Sequence, residues 1–253
     1  MAESRSADFQ PGDRAIVLRR AGGWATHVQL PAENLFKLPT GIDPLQAAML
    51  KVNPATAWRL LTGFGTPEPG SWIVQNAANS GVGRCVIAAA KELGVHTINL
   101  VRRPELIDEL LALGGDVVVT DDEAGLEAAK AASAAKPKLA FNCVGGESAL
   151  RLMNLLAPGS THITFGAMAR RPITVPNGLL IFKDLQIRGL WITKWIESAP
   201  KEELDDAYGK LADLMLGGRI KVPVDSTYPL DAFGAALERV GGEGREGKVL
   251  LVP

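Results

Sequence analysis

Residues 72–94 read WIVQNAANSGVGRCVIAAAKELG, an apolar run, a loop of small residues and a helix-length segment in succession. WIVQ (72–75) is apolar and β-branched, the material of a buried strand. VGRCVIAAAKEL (82–93) reads as a helix that stops at Gly94. Between them runs Asn76-Ala-Ala-Asn-Ser-Gly-Val-Gly83, a loop of small side chains. A strand that turns through such a loop into a helix lets a phosphate approach the backbone. The helix N-terminus then supplies N–H donors and a favourable dipole. Ser80 and Ala77 occupy places that a strict G-x-G-x-x-G would give to Gly, so a plain tight turn is the other reading.

The same alternation continues outward. TINLV (97–101) is followed by a helix ending near Gly114-Gly115, then VVVT (117–120), an Ala-rich helix (124–134) and LAFNCV (139–144). A helix at 148–156 and HITF (162–165) come next. Strands alternating with helices of about ten residues are the pattern of βαβ units on a parallel sheet. Runs such as VVV and AFNCV are apolar throughout because such a sheet is covered on both faces. The fold class is therefore α/β, a doubly wound parallel sheet. Beyond it come the apolar stretch LQIRGLWI (185–192) and an amphipathic helix near 200–217, with Leu204, Leu211, Leu214 and Met215 on one face. The tail holds a short helix (231–239) and a last strand, KVLLV (248–252). At the other end, DRAIVL and WATHVQL within 13–30 read as two strands split by Gly22-Gly23, and Pro31, Pro39 and Pro44 punctuate the passage onward. The expected organisation is the wound sheet over 46–220, flanked by 1–45 and 221–253 as parts of a second, strand-rich domain. A ligand cleft is expected between them, at the carboxyl ends of the strands.

Composition narrows the chemistry. With 27 Lys+Arg against 28 Asp+Glu, the net charge of -1 gives no attraction for nucleic acid or anionic membrane, and neither is expected as a partner. Cys85 and Cys143 are too few for a disulfide framework, and His27, His96 and His162 pair with no Cys or acid at metal spacing, so no metal is expected. The longest apolar run falls short of the roughly 18 residues of a membrane helix. The first residues, MAESRSAD, show no secretory signal, which points to the cytoplasm.

The end of the second strand of the wound sheet selects the cofactor. A free ribose 2′-hydroxyl calls for an acid about 20 residues past the glycines. Here TINLV runs into Arg102-Arg103, with no acid before Glu105. Two guanidiniums suit a 2′-phosphate, which favours NADPH over NADH; solvated arginines at a helix start are the alternative. Asn142–Gly146 and Phe165–Met168 also end strands, where open α/β sheets place ligands. Cys143 reads as buried and inert, and Asn53-Pro54 as a helix cap with Pro at the first helical position. No Ser–His–Asp or Cys–His arrangement is present to propose.

KVNPATAWRLL (51–61), QNAANSGVG (75–83), INLVRR (98–103), FNCVGG (141–146), FGAMARRP (165–172) and LLIFKDLQIRGLWITKW (179–195) resemble the zinc-free branch of the medium-chain dehydrogenase/reductase superfamily. Within it they are similar to mitochondrial-type trans-2-enoyl-CoA reductases, the 2-enoyl thioester reductases. The resemblance implies a Rossmann domain beside a GroES-like one, and NADPH-dependent reduction of enoyl-CoA or enoyl-ACP in fatty-acid synthesis. It implies a homodimer, and a mitochondrial compartment is compatible with it. It also implies cofactor contacts. Ser80, Gly81, Val82 and Gly83 would take the pyrophosphate, and Arg102, Arg103 and Pro104 the adenosine 2′-phosphate. Phe165, Gly166, Ala167 and Met168 would border the cofactor. Asn53, Leu190, Trp191 and Ile192 would lie at the nicotinamide, and Lys248 matches the lysine of the family's final strand. An NADPH:quinone oxidoreductase and a non-catalytic NADPH-binding protein are the alternatives.

The family's catalytic tyrosine comes from its N-terminal strand-rich domain. The tyrosines here, Tyr208 and Tyr228, match structural positions, so no catalytic residue is expected in this chain. The expectation is a chain that lacks the first part of its catalytic domain, as a fragment, through a misassigned start, or with lost activity. Ile16, Val17, Leu18 and Trp24 are then expected to expose apolar surface.

Overall fold

Ile73 and Val74, Ile98 and Leu100, Leu139 to Phe141, and Ile163 are all buried. They belong to one parallel sheet, seen in a computed structural model that describes residues 1–19, 22–133 and 136–253. Two compact units result, Met1–Ala55 with Ile192–Pro253, and Thr56–Trp191.

The elements are numbered along the chain, and the Thr56–Trp191 unit holds the sheet. Its strands are β3 (Trp72–Gln75), β4 (His96–Val101), β5 (Val117–Thr120), β6 (Leu139–Asn142), β7 (Thr161–Thr164) and β8 (Gln186–Gly189), in the order β5-β4-β3-β6-β7-β8. Its helices are α3 (Gly81–Glu92), α4 (Ile107–Leu113), α5 (Glu123–Ala132), α6 (Gly146–Leu155) and α7 (Asn177–Ile181). Val74, Ile98, Leu100 and Ala140 pack under Leu126 and Ala129 of α5 and Ala149, Leu152 and Met153 of α6. Ala78, Val101 and Val118 pack with Ile87 of α3 and Leu110 of α4. Helices thus cover both faces, as the uninterrupted apolar strands require. The chain moves outward from β3 through β4 to β5, then returns to β6 beside β3. That reversal opens a crevice at the carboxyl ends of β3 and β6, the usual ligand position in open α/β sheets.

The other unit contains β1 (Ala15–Val17), β2 (Leu35–Lys37), α1 (Pro44–Leu50), the start of α2 (Asn53–Thr62), α8 (Ile192–Ser198), α9 (Lys201–Leu216), β9 (Val224–Pro229), α10 (Phe233–Gly241) and β10 (Lys248–Val252). Asp43 caps α1, its Oδ1 accepting from Leu45 N at 3.0 Å, with Pro44 in the first turn. α9 buries Leu204, Tyr208, Leu211, Leu214 and Met215, the face foreseen from spacing. It does so within this unit, where the Tyr208 hydroxyl donates to Lys51 O at 2.9 Å. Gln46 exchanges two hydrogen bonds with the backbone of Val222, donating from Nε2 at 3.0 Å and accepting at Oε1 at 2.9 Å.

Two expectations are corrected. WATHVQL (24–30) forms no strand: β1 pairs antiparallel with β2, and Trp24 sits at a left-handed φ of 61°. A strand needs a ladder partner, and without one its backbone remains hydrated. Ile16 and Leu18 are buried rather than exposed, because β2 pairs with β1 and α1 packs on it; Trp24 is 65% exposed as expected. Within LQIRGLWI, the strand is Gln186–Gly189 and Ile192 opens a helix. The expected strand pair over 13–30 includes Arg20 and Ala21, and the expected end of the Ala-rich helix is Ala134; these lie outside the described residues.

Candidate functional site

The loop after β3 is a helix start held rigidly from inside. Ala77 takes a left-handed φ of 45° and its carbonyl accepts from Ser80 N at 2.9 Å. Ser80 is the N-cap of α3, its Oγ accepting from Gly83 N at 3.1 Å. Gly81 and Val82 come next, half-buried, and their N–H groups find no acceptor among the described residues. A helix N-terminus in this state presents donors to an anion. Gly83 is required by space, since a Cβ there would lie 2.5 Å from Ala78 O. From below, Gln75 Nε2 donates to Gly83 O at 2.9 Å and to Asn99 Oδ1 at 2.8 Å.

Arg102 and Arg103 stand exposed at the carboxyl end of β4, next to β3, with Pro104 opening a short turn. Arg103 Nε lies 3.6 Å from Glu105 Oε1 in a solvated pair that leaves the guanidinium available.

The loops after β6 and β7 are zipped together. Phe165 N donates to Asn142 O at 2.9 Å, Met168 N to Cys143 O at 2.9 Å, and Ala169 N to Val144 O at 3.0 Å. Gly166 permits the approach, since a Cβ there would lie 3.1 Å from Cys143 Cβ. Phe165 and Gly166 are half-buried, while Ala167 and Met168 face solvent. Burial pushes the Cys143 thiol up to about 11, so it stays a thiol at neutral pH. Leu190 N donates to Thr164 O at 3.0 Å at the end of β8, and Trp191 beyond it is 68% exposed. The structure therefore brings Ser80–Gly83, Arg102–Pro104, Phe165–Met168, Leu190 and Trp191 to the carboxyl edge of one sheet. Asn53 begins α2, Ile192 begins α8 and Lys248 begins β10, all three in the other unit.

The sequence reading missed the polar residues beneath this edge. Asn76, Asn142 and Ser148 are buried and bonded to one another, and Asp121 joins them to Arg151. The available signal was the placement of Gln75, Asn76, Asn99 and Asn142 in strands or strand ends that are otherwise apolar. Tyr208 is fully buried and burial raises its phenol; Tyr228 lies in β9. Among the described residues no three His, Cys, Asp or Glu side chains converge to hold a metal, and no helix is long and apolar enough to cross a membrane.

A family profile described as "Zinc-binding dehydrogenase" matches residues 81–209. The chain is 41% identical over 237 residues to "Enoyl-[acyl-carrier-protein] reductase, mitochondrial" of Mus musculus, covering 91% of this chain and 64% of that protein. It is 38% identical to the Xenopus tropicalis protein of the same name, covering 92% of this chain and 69% of the relative. Among solved structures, the Etr1p/NADP/crotonyl-CoA complex superposes with a TM-score of 0.87 at 26% identity, covering 98% of this chain and 75% of that one. The chain thus spans somewhat under two thirds of the mouse relative's length. A profile match over half the chain, and these identities, show that it belongs to the zinc-binding dehydrogenase family, within the branch of the enoyl thioester reductases.

Proposed function

We propose that this chain binds NADPH and serves the reduction of the α,β double bond of trans-2-enoyl thioesters, carried on CoA or an acyl carrier, in fatty-acid synthesis. The observation that carries the reading is the pair of open N–H groups on Gly81 and Val82 at the start of α3, beside Arg102 and Arg103 on the adjacent strand. The name of the mouse relative and the contents of the Etr1p complex support the same chemistry.

The residues present fit such a cofactor. Ser80, Gly81, Val82 and Gly83 would hold its pyrophosphate at a helix N-terminus. Arg102 and Arg103, next to Pro104, would hold the 2′-phosphate through charge-assisted hydrogen bonds. Phe165, Gly166, Ala167 and Met168 would wall its flank. Leu190 and Trp191 would lie at the nicotinamide end. When bound, NADPH supplies the hydride; the protein's share is to hold the ring and the double bond in register and to polarise the thioester carbonyl. No residue of this chain is assigned as the proton donor. In this reading 46–220 is the NADP-binding region, while 1–45 and 221–253 belong to the catalytic one.

The partners are a thioester substrate and a second copy of the chain. β8 pairs only with β7 among the described strands, and Ile181, Phe182 and Trp191 beside it are exposed. An open edge flanked by apolar side chains supports a homodimer. The relatives' names support a mitochondrial compartment over the cytoplasmic one first expected.

A fluorescence titration with NADPH, run beside NADH, tests cofactor binding. NADPH oxidation with crotonyl-CoA, run beside a quinone, tests the substrate class. Equal binding of the two nucleotides would remove the Arg102/Arg103 reading, and oxidation by quinone alone would replace the thioester by a quinone.

A further inference from the structure

Asn76 is 1% exposed and every polar position of its amide is used inside the unit. Its Oδ1 accepts from Cys143 N at 2.9 Å, while Nδ2 donates to Asn142 Oδ1 and Ser148 Oγ, both at 2.8 Å. Ser148, two residues into α6, passes its own hydrogen to Asp121 Oδ2 at 2.5 Å. Arg151, one turn later on α6, donates from Nε to the other carboxylate oxygen, Oδ1, at 2.7 Å. At the far end, Asn142 Oδ1 also accepts from Val144 N at 3.1 Å and Gly145 N at 3.0 Å, and its Nδ2 donates to Thr164 Oγ1 at 3.1 Å. The carboxylate fixes which way the serine hydroxyl points, and the serine lone pair then fixes how the Asn76 amide is turned. That amide orients Asn142 in turn, so donation runs outward from Asn76 both ways, through Ser148 to Asp121 and through Asn142 to Thr164.

The consequence lies in the backbone of 143–145. Its three N–H groups are drawn inward onto the two asparagine oxygens, so the carbonyls of Cys143 and Val144 are left to accept from Met168 and Ala169. Asp121 is tied the other way as well, its N–H donating to Val101 O at 2.7 Å, one residue before Arg102. Asp121, half-buried just past the end of β5, therefore touches the arginine-bearing strand end through its N–H and reaches the 165–169 loop from its carboxylate through three side chains. The charge is compensated in place: the Asp121 side chain is 10% exposed and that of Arg151 16%.

We propose that Asp121 and Ser148 are positioning residues that set the place of the 165–169 loop against the crevice, and through it the affinity for the cofactor. The cofactor part of this rests on the function proposed above; the coupling of Asp121 to the loop does not. The test is residue-resolved amide hydrogen exchange on the full chain, paired with NADPH titration, for Ser148→Ala and Asp121→Asn. Ser160→Ala is the control, since Ser160 is an equally buried serine at the amino end of β7 whose hydroxyl donates to Pro137 O at 3.3 Å. Ser148→Ala is expected to speed exchange at Met168 and Ala169 by about tenfold and to weaken NADPH binding by a similar factor. Asp121→Asn is expected to do the same from one bond farther away, and Ser160→Ala to leave both readouts unchanged. Exchange at Met168 and Ala169 that is no faster in Ser148→Ala and Asp121→Asn than in the control would overturn the coupling. A wild type that binds no NADPH would end the cofactor reading, with exchange alone then deciding the coupling. Should Ser148→Ala not fold, Asp121→Asn carries the test by itself.

Discussion

A methyl group on residue 83 would meet the carbonyl oxygen of Ala78 at 2.5 Å, so the second glycine of the loop is what lets α3 close onto the end of β3. The neighbouring Ala78 carbon atoms would lie at 2.7 Å, and all of these are backbone. Gly83→Ala must therefore move the helix start or the loop. The expected cost is about 1–3 kcal/mol of stability, the range for overpacking a tight site. NADPH affinity should fall by at least about tenfold, because the N–H groups of Gly81 and Val82 move with the helix start. Chemical denaturation and a fluorescence titration of the variant check both; wild-type values in each would show that the close approach is slack.

Arg102 and Arg103 give the second prediction. Charge-assisted hydrogen bonds are worth about 1.5–3 kcal/mol each, so the double variant Arg102→Ala/Arg103→Ala should lose about 100-fold or more in NADPH affinity. NADH, lacking the 2′-phosphate, should change by about twofold at most. The ratio of the two dissociation constants is the readout, and a parallel loss for both nucleotides would place the arginines elsewhere than at the 2′-phosphate.

His162 sits in β7 fully buried, and neither ring nitrogen has a hydrogen-bond partner among the described residues. Burial pushes its pKa from 6.5 down to about 4. Above pH 6.5 the ring is neutral in both folded and unfolded chains, and stability is undiminished by it. Between 6.5 and about 4 only the unfolded chain takes up the proton, so stability falls as pH falls across that window. The full loss comes to about 3 kcal/mol, at roughly 1.4 kcal/mol per pH unit. His162→Leu should flatten the curve and remove two unsatisfied polar atoms from the core. Urea unfolding midpoints from pH 7 to pH 4.5 test this; an equal slope in wild type and variant would assign the acid lability to another group.

Phe182 is 86% exposed, two residues past Leu180 and close in sequence to the open edge strand β8. Placing a charge there should be tolerated by a monomer and resisted by an edge-to-edge dimer. Phe182→Glu is expected to shift the chain from dimer to monomer in sedimentation velocity with little change in secondary structure. A wild type that sediments as a monomer at micromolar concentration would remove the homodimer.

The sequence was sufficient for whatever depends on local chemistry. WIVQ, TINLV, VVVT and LAFN are strands because a two-sided burial demands unbroken apolar runs, and β3 to β6 lie where those runs do. The small-residue loop that leads from β3 into α3 and the two arginines at the end of β4 were legible for the same reason, since both follow from residue type and position along the chain.

Only the tertiary structure decided which partner each segment found. WATHVQL has the composition of a strand, yet Leu35–Lys37 holds the pairing with β1 and Trp24 is left in solvent. Ser148 and Asp121 lie 27 residues apart and Asn76 and Asn142 lie 66 apart, each unremarkable alone. They become a network because β3 and β6 are neighbours where the winding reverses. Propensity and pattern act over a few residues and are written into the chain. Ladder pairing and buried polar satisfaction are settled between residues far apart, by geometry that exists only once the chain has folded.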